Sequence, residues 1–514
     1  MRKINPMMVK MVAIIFFLAC LPVAALSRAK DEIRIALPYE PATVNMLELK
    51  TAIDLVPILN MHEALLTVDP KTGDYTTKNA LSTSVKLLSS GKDILFKLRK
   101  NAIFHTGDPV TAHDVKFTFE QCTHPENVNL MASLLDEIEE IEVVDNHTLI
   151  FHLYDPYAAW KELFWVGIVS KKYYETVGKK KFRSHPVGSG IYQFESRQIG
   201  SSITLKRFEK HPTFKPEVKK ITFLVVPDEI TRVSMLKIGE LDLVSNINPL
   251  HLRMLKGQKG VVIERESKVP SLFGIAMRVN NYPVWKDMYM ARAMQYAINR
   301  QELIDRVFLK EGYPLYMSAN VVEAGYDPSI TYEYNPAKAK QLLAKSAYKP
   351  GTPIILTYTN TVPNAGIVAS VIQRYLKNIG MTVRLQQLEL GTQATYSRNK
   401  DPREGHMVLY SWAGGRDPNM RLQLTVHSKG AYIAWSDRPS QKKLDKLVEA
   451  QVREVNVAKR VKLLKEIHKI LQTETSGIAL FGLNQIYAHS DHISYKWTPG
   501  QSMLFNLQTI KIVK

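Results

Sequence analysis

The segment between residues 353 and 411 alternates between strand and helix patterns, and this alternation limits the fold more than any other feature of the chain. Short apolar runs at 354–358, 383–388 and 407–411 predict three strands. An amphipathic run at 367–379, ended by Gly380, predicts a helix between the first two. Strands that alternate with helices usually pair in parallel, with the helices packed on the sheet. The sequence therefore predicts an α/β fold.

Start signals for helices recur elsewhere in the chain. Thr111 followed by Asp114 is an acidic variant of the capping box, and Asn299 with Glu302 predicts a second capped helix. Asn335 directly before a proline predicts a third. A further run at 94–98 alternates as a half-buried strand does, and the continuous apolar run at 221–226 predicts a strand buried on both faces.

The N-terminus has the layout of a secretory signal peptide. Three cations precede an apolar stretch at 11–21, and small residues follow it. The stretch is shorter than the roughly 20 residues that a membrane-spanning helix needs. We expect residues 1–25 to be a signal peptide cleaved after Ala25, with cleavage after Ser27 as an alternative. Lipid anchoring at Cys20 is a further alternative, although the residues before it match a lipidation box only in part.

Composition excludes several classes of protein. The 514 residues are 45% hydrophobic and contain two cysteines, which excludes a disordered chain and a disulfide framework. Removing residues 1–25 takes away three cations and no acid, so the formal charge falls from +19 to +16. Apart from the tight run of Lys179, Lys180, Lys181 and Arg183, the cations are dispersed among acids. This distribution is typical of a solvated surface and not of a nucleic-acid interface.

The catalytic motifs that the sequence suggests are incomplete. His62-Glu63 lacks the second histidine of a zinc-binding HExxH helix, and Gly188-Ser189-Gly190 lacks the third glycine of a dinucleotide turn. No phosphate-binding GK[ST] loop or GxSxG elbow occurs. His489 and His492 stand three apart without a ligand cluster around them. We therefore expect neither an enzyme nor a bound metal or cofactor.

Several motifs, in order, resemble one family. Residues 104–119 read FHTGDPVTAHDVKFTF, after FKLRKNAI, and resemble the segment in which bacterial extracellular solute-binding proteins of family 5 carry FHxGxPxTAxDVxF. The turn PVGSGIY at 186–192 and the segment ITFLVVPDEITRVSMLKIGELD at 221–242 match the same family. So do RAMQYAINR at 292–300, the helix start at 335–343 and the late turn Asp417-Pro418. These proteins are the oligopeptide-, dipeptide- and nickel-type receptors of ABC importers.

The resemblance implies a two-lobed α/β periplasmic-binding-protein fold with an additional subdomain inserted in lobe I. Carried onto this chain, lobe I comprises residues 26–62, 187–268 and 482–514, the inserted subdomain residues 63–186, and lobe II residues 269–481. The solute binds between the lobes, which close by hinge motion. Implied partners are a peptide-like or anionic solute and the permease subunits of the importer. We expect a monomer that works outside the cytoplasmic membrane and touches it only peripherally.

The resemblance also implies where the solute binds. The matching positions are Tyr39 and Glu40 after the first strand, Asn360 in the loop 359–364, and the segment Trp412, Ala413, Gly414, Gly415 and Arg416. Trp412 offers an apolar face, the two glycines permit close approach of a ligand, and Arg416 can pair with an anion. A core tryptophan and a surface arginine are the alternative interpretation of the same residues.

Two departures from the family pattern affect the ligand. Peptide-binding members hold the peptide's amino terminus with an aspartate shortly before the late turn, where this chain has Gly414-Gly415-Arg416. Dipeptide-type members place an arginine in the loop that here is 359–364, which contains none. The hypothesis that follows is a ligand other than an ordinary dipeptide, with negative charge near Arg416. An exported sensor or chaperone-like protein with the same lobes is the competing function, because fold alone does not fix function.

Overall fold

The computed structural model describes residue 29 and residues 31–412, 414–503 and 506–513, so the predicted signal peptide lies outside the described residues. Their α-helices are Leu55–Met61, Ala112–Thr123, Ala132–Leu135, Lys171–Ser184, Glu229–Lys237, Met288–Ala297, Arg300–Val307, Pro336–Ala344, Ala365–Asn378, Leu390–Asn399, Asn419–Thr425, Gln441–Arg453 and Val457–Thr473. Short 3-10 turns, such as Trp160–Leu163, connect several of the elements.

Lobe I is built around a seven-stranded mixed sheet. Its strand order is Val261–Glu266, Gln485–Ser490, Leu243–Ser245, Glu32–Leu37, Lys220–Val225, Ser202–Arg207 and Tyr192–Gln198. Glu32–Leu37 runs parallel to both of its neighbours, and the outer pairs are antiparallel. The predicted strand at 221–226 forms here, with Ile221 and Phe223 in one apolar core and Leu224 packed on a smaller cluster of the opposite face. Both faces of this strand are therefore covered.

Lobe II is built around a six-stranded sheet that contains the alternating segment. Its strand order is Gly312–Pro314, Gly477–Leu483, Leu272–Met277, Met407–Trp412, Pro353–Tyr358 and Thr382–Gln387. Pro353–Tyr358 pairs in parallel with both neighbours, through Leu356 opposite Met407 and Ile354 opposite Val383. Helix Ala365–Asn378 buries Val368, Ile372 and Leu376 in the core of this lobe. The predicted α/β order is confirmed.

A four-stranded antiparallel sheet forms the centre of the segment between the first two parts of lobe I. Its strand order is Ser82–Leu87, Asp93–Leu98, Thr148–Leu153 and Ile138–Asp145. The predicted alternation is confirmed, because Ile94, Phe96 and Leu98 lie buried on one face. These side chains belong to the same continuous core as the lobe I strands, so this sheet packs directly on lobe I.

The predicted helix starts are also confirmed. Thr111 and Asp114 form a complete capping box at the start of helix Ala112–Thr123. The Asn299 side chain accepts the amide of Glu302, and the Asn335 side chain accepts the amide of Lys338. Each cap satisfies an amide that has no partner within its own helix.

Two chain passages connect the lobes. Strand Val261–Glu266 of lobe I is followed by Leu272–Met277 of lobe II, and Gly477–Leu483 of lobe II is followed by Gln485–Ser490 of lobe I. The exact boundaries given above for the lobes and the inserted subdomain stay predictions. Within the described ranges no helix is long and apolar enough to cross a membrane, and no cluster of His, Cys, Asp and Glu is placed to hold a metal ion.

Candidate solute-binding cavity

A cavity of about 680 Å³ lies between lobe II and the surface formed by lobe I and its packed four-stranded subdomain. One wall comes from chain segments around residues 52–79, 130–165, 190–214 and 500–508, and the other from residues 415–424 together with Pro270. The apolar part of the lining includes Leu55, Leu59, Leu66, Val68, Leu134, Trp165, Ile191, Phe214, Met420 and Leu424. An interlobe cavity of this size suits a ligand of drug-like dimensions.

The lobes contact each other around this cavity. The backbone amide of Ala158 donates to the Val452 carbonyl over 2.8 Å, and the Arg453 guanidinium lies 2.9 Å from the Glu137 carboxylate. On another side the Asn248 side-chain amide donates to Asn364 over 3.1 Å. The structure therefore holds the two lobes together across the cleft.

Arg416 reaches across the cleft from lobe II. Its Nη1 donates to the Thr72 carbonyl over 3.0 Å, and its Nη2 lies 3.2 Å from Asp74 Oδ1. Two glycines with positive φ enclose the side chain, since a Cβ at Gly73 would lie 2.6 Å from Arg416 Nη1 and a Cβ at Gly500 would lie 2.7 Å from its Cδ. The arginine thus occupies a slot that only glycine leaves open.

Asp417 fixes the segment that carries Arg416. Its two carboxylate oxygens accept from Arg460 Nη1 at 2.5 Å and Nη2 at 2.7 Å, and both side chains are almost completely buried. Arg460 also donates from Nε to the Gln451 carbonyl over 3.0 Å. Asp417 Oδ1 accepts the amide of Asn419, as expected for a residue that caps the next turn. This bidentate pair ties the cavity wall to the helices behind it.

Glu162 approaches the same segment from the opposite wall. Its Oε1 lies 3.4 Å from the position of a Cβ at Gly415, and its carboxyl accepts the backbone amide of Asp417. The residue is half-buried because its carboxyl borders the cavity. Burial, followed by the charge of Asp417, raises the pKa of Glu162 to about 8, while Arg460 acts in the opposite direction. A carboxyl in this position is largely protonated at neutral pH.

Helix Leu55–Met61 and the residue that follows it contribute two buried polar side chains to the cavity lining. The Asn60 amide nitrogen donates to the Val56 carbonyl over 2.7 Å, and His62 Nδ1 faces the Ile58 carbonyl at 3.0 Å. Burial lowers the pKa of His62 to about 4, so the ring is neutral at neutral pH. The glycines of the turn at 186–192 permit this arrangement, since a Cβ at Gly188 would lie 2.5 Å from His62 Cδ2.

Of the site residues predicted from the sequence, the structure brings Gly415 and Arg416 into the cavity lining. Trp412 packs in a small apolar cluster of lobe II, and Gly414 folds against its indole ring. Ala413 lies outside the described residues.

The remaining predicted residues lie away from this cavity. Tyr39 is 71% exposed, and Glu40 accepts from Arg197 Nη2 over 2.9 Å, a hydrogen bond that lowers the pKa of the Glu40 carboxyl. The Asn360 side chain accepts from Gln387 over 3.2 Å. A role for these residues in solute binding stays a prediction.

Sequence reasoning missed Glu162, Asn60 and His62. In the sequence, His62-Glu63 is only an incomplete zinc motif, and Glu162 lies in a short turn that matches no known motif. Two resemblances to the family lie near this region, that of MHEAL at 61–65 to an early helix and that of the turn at 186–192, but neither singles out these three side chains. The residues of the wall that faces lobe II were therefore identified only from the structure.

An interlobe cavity in a two-lobed α/β fold defines the class of solute-binding receptors, and comparison with known proteins agrees. The glutathione-binding protein GsiB of Salmonella choleraesuis is 25% identical over 441 residues, which cover 82% of this chain and 84% of that protein. The ABC transporter substrate-binding protein CtaP of Listeria monocytogenes superposes with a TM-score of 0.84 at 20% identity, over 94% of this chain and 99% of that one. The periplasmic binding protein DppA of Helicobacter pylori, solved with the peptide STSA, gives a TM-score of 0.73 at 21% identity, over 94% and 98%.

The family described as bacterial extracellular solute-binding proteins, family 5, matches residues 76–432, which is more than half of the chain. The chain belongs to this family. Its members are non-enzymatic substrate-binding proteins of ABC importers, so binding and release of a solute, and not a reaction, are what the cavity must accomplish.

Proposed function

We propose that this protein captures a short peptide or peptide-like solute in the interlobe cavity and delivers it to a membrane permease. The observation that carries the proposal is the cavity itself, which is lined by both lobes and combines a largely apolar lining with a few polar groups. Apolar walls suit uncharged side chains, and the polar groups give orientation. The names of the similar proteins, which bind glutathione or a peptide, support the same class of solute.

The volume of the cavity supports a short ligand. Pockets of roughly 300–1,000 Å³ enclose most of the surface of drug-sized molecules. The cavity of about 680 Å³ lies in the middle of this range. A peptide of two to four residues is of that order, whereas a folded chain is not.

We keep Gly415 and Arg416 in the proposed site. The Arg416 side chain is 35% exposed beside the cavity, and its partner Asp74 is 70% exposed. An exposed ion pair of this kind contributes little free energy, about 1 kcal/mol or less, so a carboxylate of the solute can replace Asp74 at small cost. The negative charge near Arg416 that the sequence suggested is thus part of the proposal.

The proposal places the protein outside the cytoplasmic membrane as a monomer, after export through the signal peptide predicted at residues 1–25. Delivery follows from a difference in solute affinity between open and closed lobes, which the permease exploits when it binds the closed form.

Native mass spectrometry of gently purified protein tests the solute class. We expect an adduct with the mass of a short peptide or peptide-like molecule, and defined tripeptides should compete with it. Arg416→Ala should weaken peptide binding by about tenfold, whereas Arg403→Ala, an exposed arginine paired with Asp401, should leave it unchanged. Peptide binding that survives Arg416→Ala unchanged contradicts the assigned role of Arg416, and failure of all short peptides to bind contradicts the proposed solute class.

A further inference from the structure

Glu162 differs from the other carboxylates of the cavity wall. The Glu63 carboxylate lies 2.8 Å from Arg99, and the Glu137 carboxylate lies 2.9 Å from Arg453. Glu162, by contrast, has no cation at ion-pair distance in the part of the chain that the structure describes. The nearby guanidinium of Arg460 is already held by both oxygens of Asp417. One carboxyl of the wall is therefore left without a positive partner.

Two other unpaired polar atoms of the wall are acceptors, whereas the unpaired Nε2 of His211 carries a proton because its Nδ1 accepts the Phe214 amide, and this Nε2 lies 3.4 Å from the Glu63 carboxylate. The Val56 carbonyl can only accept, so the Asn60 amide nitrogen must face it, and Asn60 Oδ1 is left without a partner. The Ile58 carbonyl likewise requires the proton of His62 on Nδ1, which leaves Nε2 as a bare acceptor. Asn60 is 1% exposed and His62 is 3% exposed. Buried polar atoms are normally paired, so these acceptors call for a ligand that brings N–H donors.

From these contacts we infer that Glu162 is a specificity-determining residue that binds a protonated amine of the solute, so that the protein selects peptides with a free amino group. The inference rests on the proposed function and narrows its solute class. The amine lies against the lobe II segment at Gly415, where the absence of a side chain leaves the Glu162 carboxyl accessible from the cavity. Binding then also draws the two lobes together, because Glu162 and Gly415 stand on opposite walls.

The charge balance of this step involves one proton. The groups that face Glu162 are Asp417, Arg460, Tyr75 and Tyr157. Burial, followed by the charge of Asp417, raises the pKa of the Glu162 carboxyl and keeps it largely protonated in the empty cavity, although Arg460 acts in the opposite direction. When the ammonium group enters, the carboxyl releases its proton to solvent and a carboxylate–ammonium pair forms. Binding at pH 7 should therefore release up to about one proton for each ligand bound.

The test compares a tripeptide pool with the same pool after N-acetylation, which removes the amine charge and keeps the rest of each peptide. Thermal shift measures binding to the wild type, to Glu162→Gln and to the control Glu209→Gln, an exposed carboxylate paired with Arg207 outside the cavity lining. We expect the free-amine pool to stabilise the wild type and Glu209→Gln, and the acetylated pool to stabilise neither. For the best-binding tripeptide, Glu162→Gln should lose at least about 30-fold in affinity.

Calorimetry in buffers of different ionisation enthalpy adds a readout that a purely structural role of Glu162 would not change. The wild type should release the proton on binding, and Glu162→Gln should not. If both pools stabilise the wild type equally, the amine inference is wrong while the proposed function stands. If neither pool binds, the peptide-like solute class is wrong as well. Proton release that persists in Glu162→Gln also overturns the assignment.

Discussion

Removal of the Arg460 cation tests how firmly the cavity wall is fixed. In Arg460→Met the side chain keeps most of its length and apolar surface but leaves the Asp417 carboxylate buried without a positive partner. The two N–O distances of 2.5 and 2.7 Å and side-chain exposures of 10% and 12% make this a buried bidentate pair. Loss of one partner of such a pair typically destabilises a protein by about 3–5 kcal/mol.

Residual exposure places the expected loss at the lower end of that range, at about 3 kcal/mol in the free energy of unfolding. Urea unfolding followed by tryptophan fluorescence measures it, since Trp285 and Trp435 are buried in lobe II. The double variant Asp417→Asn/Arg460→Met removes the uncompensated charge and should recover at least about 1 kcal/mol of the loss. A loss below about 1 kcal/mol in Arg460→Met, or no recovery in the double variant, would refute the reasoning.

Two further predictions concern stability against acid and the slot around Arg416. Burial, followed by the charge of Arg421, lowers the pKa of His468 to about 3. Below pH ~6.5 the unfolded chain therefore binds a proton at this histidine that the folded chain does not bind. The contribution of this histidine to the free energy of unfolding is therefore complete above pH ~6.5 and falls by about 1.4 kcal/mol for each pH unit down to pH ~3. In urea titrations His468→Gln should reduce this loss of stability with falling pH, whereas the exposed control His113→Gln should not. Gly500→Ala and Gly200→Ala carry similar backbone strain because φ is +77° and +75°, but only Gly500→Ala places a methyl group against Arg416. Gly500→Ala should therefore weaken peptide binding in calorimetry, and equal affinities in the two variants would show that the Arg416 slot is irrelevant.

Local patterns in the sequence account for much of the fold. The alternation at 353–411 predicts the parallel strands because apolar periodicity in each element follows from the core that it faces. The caps at Thr111, Asn299 and Asn335 are equally local, since each side chain accepts the amide three residues further on. Signals of this kind need no knowledge of the rest of the chain.

The candidate site was less predictable because it forms from segments that are distant in sequence. The approach of Glu162 to Gly415 and the ion pair of Arg416 with Asp74 depend on how two lobes close, which no local pattern encodes. The same holds for Asn60, whose unpaired oxygen is defined only by the hydrogen bond of its amide to Val56. The resemblance to the family pointed to Gly415 and Arg416, which line the cavity, but it did not point to the residues of the opposite wall.

The central claim is that the solute occupies the cavity between the lobes. Native mass spectrometry of the wild type and of Gly415→Trp, incubated with the free-amine tripeptide pool, tests it most directly. The indole of Gly415→Trp would project beside Glu162 and fill that end of the cavity, whereas Gly200→Trp adds the same side chain where no neighbouring atom lies within 4 Å. We expect one bound tripeptide in the wild type and in Gly200→Trp and none in Gly415→Trp. A peptide adduct that persists in Gly415→Trp, or no adduct in the wild type, would contradict it.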